Sequence, residues 1–204
     1  YHVNVILQCE EGYYIADDEE LDAYVNGAKA YISAQDGNRI TLTAGYTVPV
    51  ASGVHGQVVS FCDGSDVTVS LFADGSAESK YTVSVPGGTK DSSGQYTTTY
   101  DIPEVAPGTY TMRVSKKNHV TREYTITVGT DALTQDVKIH LMGDINGDGR
   151  ISIGDINQAN LHAKGKKILL GYELACADIN GDGRVTTSDV NKMNLHNKGK
   201  SLLW

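Results

Sequence analysis

The sequence predicts two folds in series, an all-β sandwich followed by a small all-α module of two loop-helix repeats. Three observations carry that expectation. From Gly53 to Met142, short runs of Val, Thr, Tyr and Ile alternate with period two and are interrupted about every 8 to 12 residues by turn chemistry. From Gly143 to Trp204 one pattern occurs twice. Gly accounts for 22 of 204 residues, above the ordinary usage of about 7 %, which favours a turn-rich body. The expected division is therefore 1–52, a β-rich segment reading as the tail of an upstream module; 53–142, the sandwich; and 143–204, the repeated module.

Charge narrows the range of partners. Lys and Arg number 17 against 25 Asp and Glu, a formal net charge of −8. The chain has no surplus of cations to neutralise phosphates, so nucleic acid is not expected as a partner and anionic membrane surfaces are disfavoured. No apolar run approaches the roughly 18 residues of a membrane span, and no membrane insertion is expected.

The first fifty residues hold one hairpin signal. Lys29–Ser33 and Arg39–Thr43 are short β-prone runs flanking Gln35-Asp36-Gly37-Asn38, and Asp-Gly in that place favours a tight turn. Tyr1–Leu7 alternates like a strand and lacks the basic and apolar regions of a signal peptide, so the chain reads as a fragment of something longer. Asp17, Asp18, Glu19, Glu20 and Asp22 form a contiguous acidic run, which reads as a solvated loop or helix start and not as a pair of catalytic carboxylates. Cys9, Cys62 and Cys176 are too few for a disulfide framework. One bond between Cys9 and Cys62 is compatible with the sequence, as are three small buried hydrophobes, the reading favoured here.

Seven strands fit the middle of the chain: Gln57–Phe61, Val67–Phe72, Tyr81–Val85, Tyr96–Tyr100, Thr109–Val114, Tyr124–Val128 and Val137–Leu141. A half-buried strand needs a second sheet over its apolar face, hence a sandwich. Tyr100–Tyr110, with Val114-Ser115-Lys116 and Arg122–Ile126, resembles the carboxypeptidase regulatory-like domains of transthyretin-type fold. That resemblance implies a stabilising or spacing module without catalysis.

The last sixty residues carry the chemistry. Asp144–Asp155 aligns without a gap on Asp178–Asp189, and the likeness continues through Asn160-Leu161-His162 and Asn194-Leu195-His196 to Lys164-Gly165-Lys166 and Lys198-Gly199-Lys200. Each twelve-residue loop places oxygen donors at positions 1, 3, 5, 7, 9 and 12, with Gly at position 6. The first set is Asp144, Asn146, Asp148, the carbonyl of Arg150, Ser152 and Asp155. The second is Asp178, Asn180, Asp182, the carbonyl of Arg184, Thr186 and Asp189. Three carboxylates in one loop repel one another without a cation, and an adaptable all-oxygen set suits calcium better than rigidly octahedral magnesium. Two calcium ions are expected. Gln135–Leu141 alternates as a strand up to Gly143, which leaves no room for a helix entering the first loop.

These residues resemble the dockerin family, specifically type I-like dockerins, from Gly143 to Trp204. The resemblance implies two calcium-binding loop-helix repeats joined by a short helix, and a partner that is the cohesin module of a scaffoldin. Ile153 and Gly154 occupy the tenth and eleventh loop places of one repeat and Thr187 and Ser188 those of the other. The family's usual pair differs from both, so the two repeats are not expected to bind a cohesin equally.

Helix geometry marks a partner face independently. At about 100° per residue, Ala159 and Ala163 fall within about 60° of Ile156, whereas Leu161 lies about 140° away. Val190 and Met193 repeat the apolar stripe and Leu195 repeats the outlier. A binding patch, or a leucine packed beneath the connecting helix, satisfies this pattern. The candidate face comprises Ile153, Gly154, Asn157, Asn160, Leu161 and Lys164, with Thr187, Ser188, Asn191, Asn194, Leu195 and Lys198 as counterparts.

Other candidates are weaker. His162 and His196 occupy matching places, read as packing or partner-facing because oxygen-donor loops do not recruit imidazole. His55 and His119 are expected at the surface. Trp204, with Leu202 and Leu203, is expected to pack the chain end onto the module. No catalytic residue is expected. The resemblance implies an extracellular, cell-surface-associated adaptor that anchors an exported polysaccharide-degrading protein to a cellulosome. In the alternatives, the sandwich is a carbohydrate-binding module, or the chain is the C-terminal tail of a glycoside hydrolase.

Overall fold

A computed structural model of the chain describes residues 2–8, 23–25, 28–36, 39–45 and 52–204. It divides into two compact units, Tyr1–Pro49 and Val50–Trp204. The first contains β1 (His2–Gln8), β2 (Ala23–Val25), β3 (Ala28–Asp36) and β4 (Arg39–Gly45), in the antiparallel order β1-β4-β3-β2. The hairpin expected around Asp36 is present: β3 pairs with β4 and Asp36 opposes Arg39. The turn residues Gly37 and Asn38, Cys9 and the acidic run 17–22 lie outside the described residues.

The second unit begins with the sandwich. One sheet orders β11 (Arg122–Val128), β10 (Gly108–Lys116), β6 (Val67–Ala73) and β7 (Ser79–Val85). The other orders β12 (Leu133–Thr134), β5 (Ser52–Ser60), β9 (Tyr96–Val105) and β8 (Thr89–Lys90), with β13 (Val137–Lys138) also on β5. Period-two burial is regular on β5 and β10, and the inward rows, including Val54, Val58, Leu71, Met112, Val114 and Ile139, form one apolar core.

All seven expected strands exist, with corrected ends. The strand expected to stop at Tyr100 runs on to Val105, because Pro103 and Glu104 together oppose the single Gly53 in a bulge. The bulge accommodates the proline, and Glu104 takes φ +57°. The last expected strand is shorter. Only Val137 and Lys138 form a ladder, parallel to β5, although Ile139 still donates to the Val59 carbonyl and Leu141 bridges His119.

Two further corrections concern single residues near the end of β5. Cys62 is exposed with φ +74°, in a turn rather than in the core. His119 is buried, not superficial: Nε2 accepts the Phe61 N–H at 2.9 Å and Nδ1 lies 2.7 Å from the Lys117 carbonyl. Lys116 continues the inward row of β10, and its buried ammonium donates to Ser60 Oγ and the carbonyls of Phe61 and Asp63. Three oxygens replace the lost hydration. Cys176 is buried as expected.

The helical module follows with α1 (Ile153–Ala163), α2 (Gly171–Ala177) and α3 (Thr187–Asn197). Its core gathers Ile145, Ile151, Ile156, Ala159, Leu169, Cys176, Val190 and Met193. Ala163 is only half-buried. Val120, from the β10–β11 connection of the sandwich, packs against this second core.

The neutral ring that satisfies both neighbours of His119 has a testable consequence. Burial lowers it from 6.5 to about 4. As pH falls below about 6.5 the unfolded chain takes up a proton that the folded ring resists, so stability declines down to about pH 4, by up to roughly 3 kcal/mol. His140, which burial also lowers, adds to this loss, and Asp144, which burial raises, opposes it, so the His119 contribution is read as the difference between the parent and His119→Gln in urea unfolding across this range. An identical pH dependence in the two would contradict the assignment.

Candidate functional site

Both twelve-residue loops are built around carboxylates that accept backbone N–H groups. In the first, Asp144 Oδ1 accepts from Gly147 and Asp148 at 2.8 and 3.1 Å, and Oδ2 from Gly149 at 2.7 Å. Asn146 Oδ1 accepts from Asp148 N, and Asp148 Oδ1 from Arg150 N. Asp155 closes the circuit, taking the N–H groups of Ile145 and Asn146 on Oδ1 and both the N–H and hydroxyl of Ser152 on Oδ2. The second loop repeats each bond, with Asp178 accepting from Gly181, Asp182 and Gly183, and Asp189 from Ile179, Asn180 and Thr186.

The last loop residue has a second task. Ser152 and Thr186 are the N-caps of α1 and α3, and Asp155 and Asp189 complete capping boxes as the third helical residues. Loop closure and helix initiation therefore share one carboxylate. The short helix expected between the repeats is α2, which leads directly into Asp178, whereas the first loop is entered from the sandwich without a helix, also as expected.

Electrostatics distinguishes the ends of the loops. Burial pushes Asp144 up to about 6, and the carboxylates of Asp155 and Asp148 add to the rise against the Gly149 N–H. At Asp189 burial raises the pKa, but the combined hydrogen bonds from Thr186 and Asn180 outweigh it and hold the group below the usual range. Among the described residues no three His, Cys, Asp or Glu side chains converge on one point. A cation held here would draw on Asn146, the Arg150 carbonyl and Ser152 as well as carboxylates. That all-oxygen donor chemistry fits a hard cation.

On the helices, the apolar stripe and its outlier fall where the sequence places them. Ile156, Ala159, Val190 and Met193 are buried, whereas Leu161 and Leu195 are 40 and 41 % exposed. Ile153, Gly154, Asn157, Lys164, Thr187, Ser188, Asn191 and Lys198 are exposed as well, and Asn160 and Asn194 half-buried. The exposed leucines rule out burial beneath α2. Residues 142–196 match the family model of the dockerin type I domain.

No curated relative matches the chain. Among solved structures, it is similar to N-terminal and C-terminal interface mutants of a type II cohesin–X–dockerin complex from Acetivibrio cellulolyticus. Each aligns at 20 % identity and a TM-score of 0.32, covering 71 % of this chain and 94 % of the other.

The C-terminal segment contains features the sequence reading missed. His162 Nδ1 accepts the Leu169 N–H at 2.9 Å and His196 Nδ1 accepts that of Leu203 at 3.0 Å. Both histidines therefore fasten the chain returning after the helix, and the repeat extends to Leu170 and Trp204. A His followed seven residues later by Leu in both copies was the available signal. Trp204 packs as expected, its ring 4.5 Å from His196, and Leu203 packs against the same core, but Leu202 is 69 % exposed. The sandwich's open cleft of about 660 Å³ is lined by His55, Gln57, Tyr100, Asp101, Thr134 and Asp136. Tyr100 is 2 % exposed with its hydroxyl donated to the Gln135 carbonyl, and so presents no ring face for stacking.

The leucines should separate from the core by their effect on stability. Leu161→Ala and Leu195→Ala should each change unfolding free energy by no more than about 0.5 kcal/mol. Met193→Ala, at a fully buried site, should cost about 2–5 kcal/mol. Chemical denaturation of the three variants in excess calcium decides this, and a loss at either leucine matching that at Met193 would place it in the core.

Proposed function

We propose that residues 143–204 form a calcium-dependent docking module that binds a cohesin, while residues 53–142 act as a stabilising and spacing sandwich. Leu161 and Leu195, equally exposed at matching places in a segment that matches the dockerin type I domain, carry this reading. Calcium would be held by Asp144, Asn146, Asp148, Arg150 O, Ser152 and Asp155 in one loop, and by Asp178, Asn180, Asp182, Arg184 O, Thr186 and Asp189 in the other. Its charge would offset the mutual repulsion of the three carboxylates in each loop.

The chain's own residues do the rest. Backbone N–H groups orient Asp144 and Asp178, the shared capping carboxylates fix where α1 and α3 begin, and the helices present Asn160-Leu161 and Asn194-Leu195 outward. An aliphatic side chain already in water loses nothing when a partner covers it, so exposed leucines beside neutral amides suit a protein surface. The biological role inferred is anchorage of an exported, polysaccharide-degrading protein to an extracellular scaffold. The module itself contributes no catalysis.

Titrating a type I cohesin into the full chain tests the reading. Binding should require calcium and disappear in excess chelator. A central apolar anchor typically contributes 2 kcal/mol or more, so removing both leucines should weaken binding at least about thirtyfold. Ile153 and Thr187 differ in shape and polarity at corresponding places, so one single-leucine variant should account for most of that loss. Wild-type affinity in the double variant would reject the face. Asp155→Ala should reduce the calcium count read by calorimetry from two to one, and two intact sites would reject the ligand assignment.

A further inference from the structure

The two loops share a sequence pattern but not surroundings. A Cβ added at Gly149, the sixth residue of the first loop, would lie 2.4 Å from Phe61 Cδ1; one added at Gly147 would lie 2.4 Å from His140 Nε2. At the corresponding Gly183 and Gly181 nothing among the described residues lies within 4 Å. Gly149 and Gly183 have nearly the same backbone, φ +87° and +83°, so the difference comes from the sandwich and not from the loop. Asp144 is fully buried, whereas Asp178 is half-exposed.

Phe61 is itself held firmly. Its N–H is donated to His119 Nε2 at 2.9 Å, its carbonyl accepts from Lys116 Nζ at 3.2 Å, and the residue is 3 % exposed. Lys138 Nζ lies 5.4 Å from the ring centre. On the other side of the loop, His140 stacks edge-on against Tyr172, whose hydroxyl accepts from His140 N and donates to the Val120 carbonyl. The first loop is thus backed by two rings whose backbones are hydrogen-bonded in place, and the second by open space among the described residues.

We propose that the sandwich, through Phe61 seated on Gly149, holds the first loop in its cation-binding conformation, so that this loop binds calcium more tightly than the second and fills first. The argument rests on the calcium reading above. Ordering a loop opposes binding, and a loop already ordered by packing avoids that cost. Phe61 acts as a positioning residue, since it offers no donor oxygen.

Calorimetric calcium titration of the full chain tests the proposal, with Asp182→Ala leaving the first loop intact and Asp148→Ala leaving the second. The first loop should bind more tightly. Phe61→Ala should weaken it about tenfold, in the range seen when support around a metal ligand is removed, and leave the second loop within about twofold. Phe61→Leu, which retains apolar bulk, should fold like the parent and show an intermediate loss.

A role confined to sandwich stability is separated by glycine substitution. Gly149→Ala and Gly183→Ala carry the same left-handed backbone strain, but only the first meets Phe61. Gly149→Ala should therefore weaken its loop more than Gly183→Ala weakens the other, and the difference should vanish in the Phe61→Ala background. Equal parental affinities, equal losses in both loops, or a Gly149–Gly183 difference that survives Phe61→Ala would overturn the proposal. Absence of calcium binding by either loop would instead overturn the functional reading on which it rests.

Discussion

Carboxylates accepting backbone N–H groups are the interaction on which the C-terminal module depends. Asp144 and Asp178 each draw three successive N–H groups inward, and Asp155 and Asp189 draw two more from the start of the loop. Because Asp155 and Asp189 also complete capping boxes, the direction of each helix is fixed by the same group that closes its loop. Leu161 and Leu195 owe their outward position to that registration: a helix starting one residue later would turn every side chain by about 100°.

Much of this was legible because spacing alone encodes it. A twelve-residue oxygen pattern with a central glycine, repeated at a constant offset, specifies a loop before any tertiary contact is considered. The helical stripe and its leucine outlier follow from periodicity in the same way. Strand existence in the sandwich was equally plain from alternation, but strand ends were not. Pro103 reads as a breaker locally, and only pairing with Gly53 across the sheet turns it into a bulge.

The unread features are those created by distant parts of the chain meeting. His119 looks like a surface histidine until the Phe61 N–H arrives from 58 residues away, and Lys116 looks like a strand's polar end until three oxygens surround it. Arg122 is another case: it donates to the Lys138 carbonyl and lies over the rings of Tyr124 and Tyr172, joining sandwich to helical module. Nothing in the local sequence around these residues announces those partners. Together they explain why near-identical loop sequences sit in unequal environments.

Residues 139–143 pass from the sandwich to the first loop with a backbone bond at each step: Ile139 to Val59, His140 to Val120, Leu141 paired with His119, Met142 to Asn118 and Gly143 to Cys176. No stretch of free chain separates the two folds, so this joint lacks the random-coil freedom of a flexible linker. The outward faces of α1 and α3 are carried at a fixed angle to the sandwich. The reach of this joint is therefore the length of the folded body itself and not that of a coil.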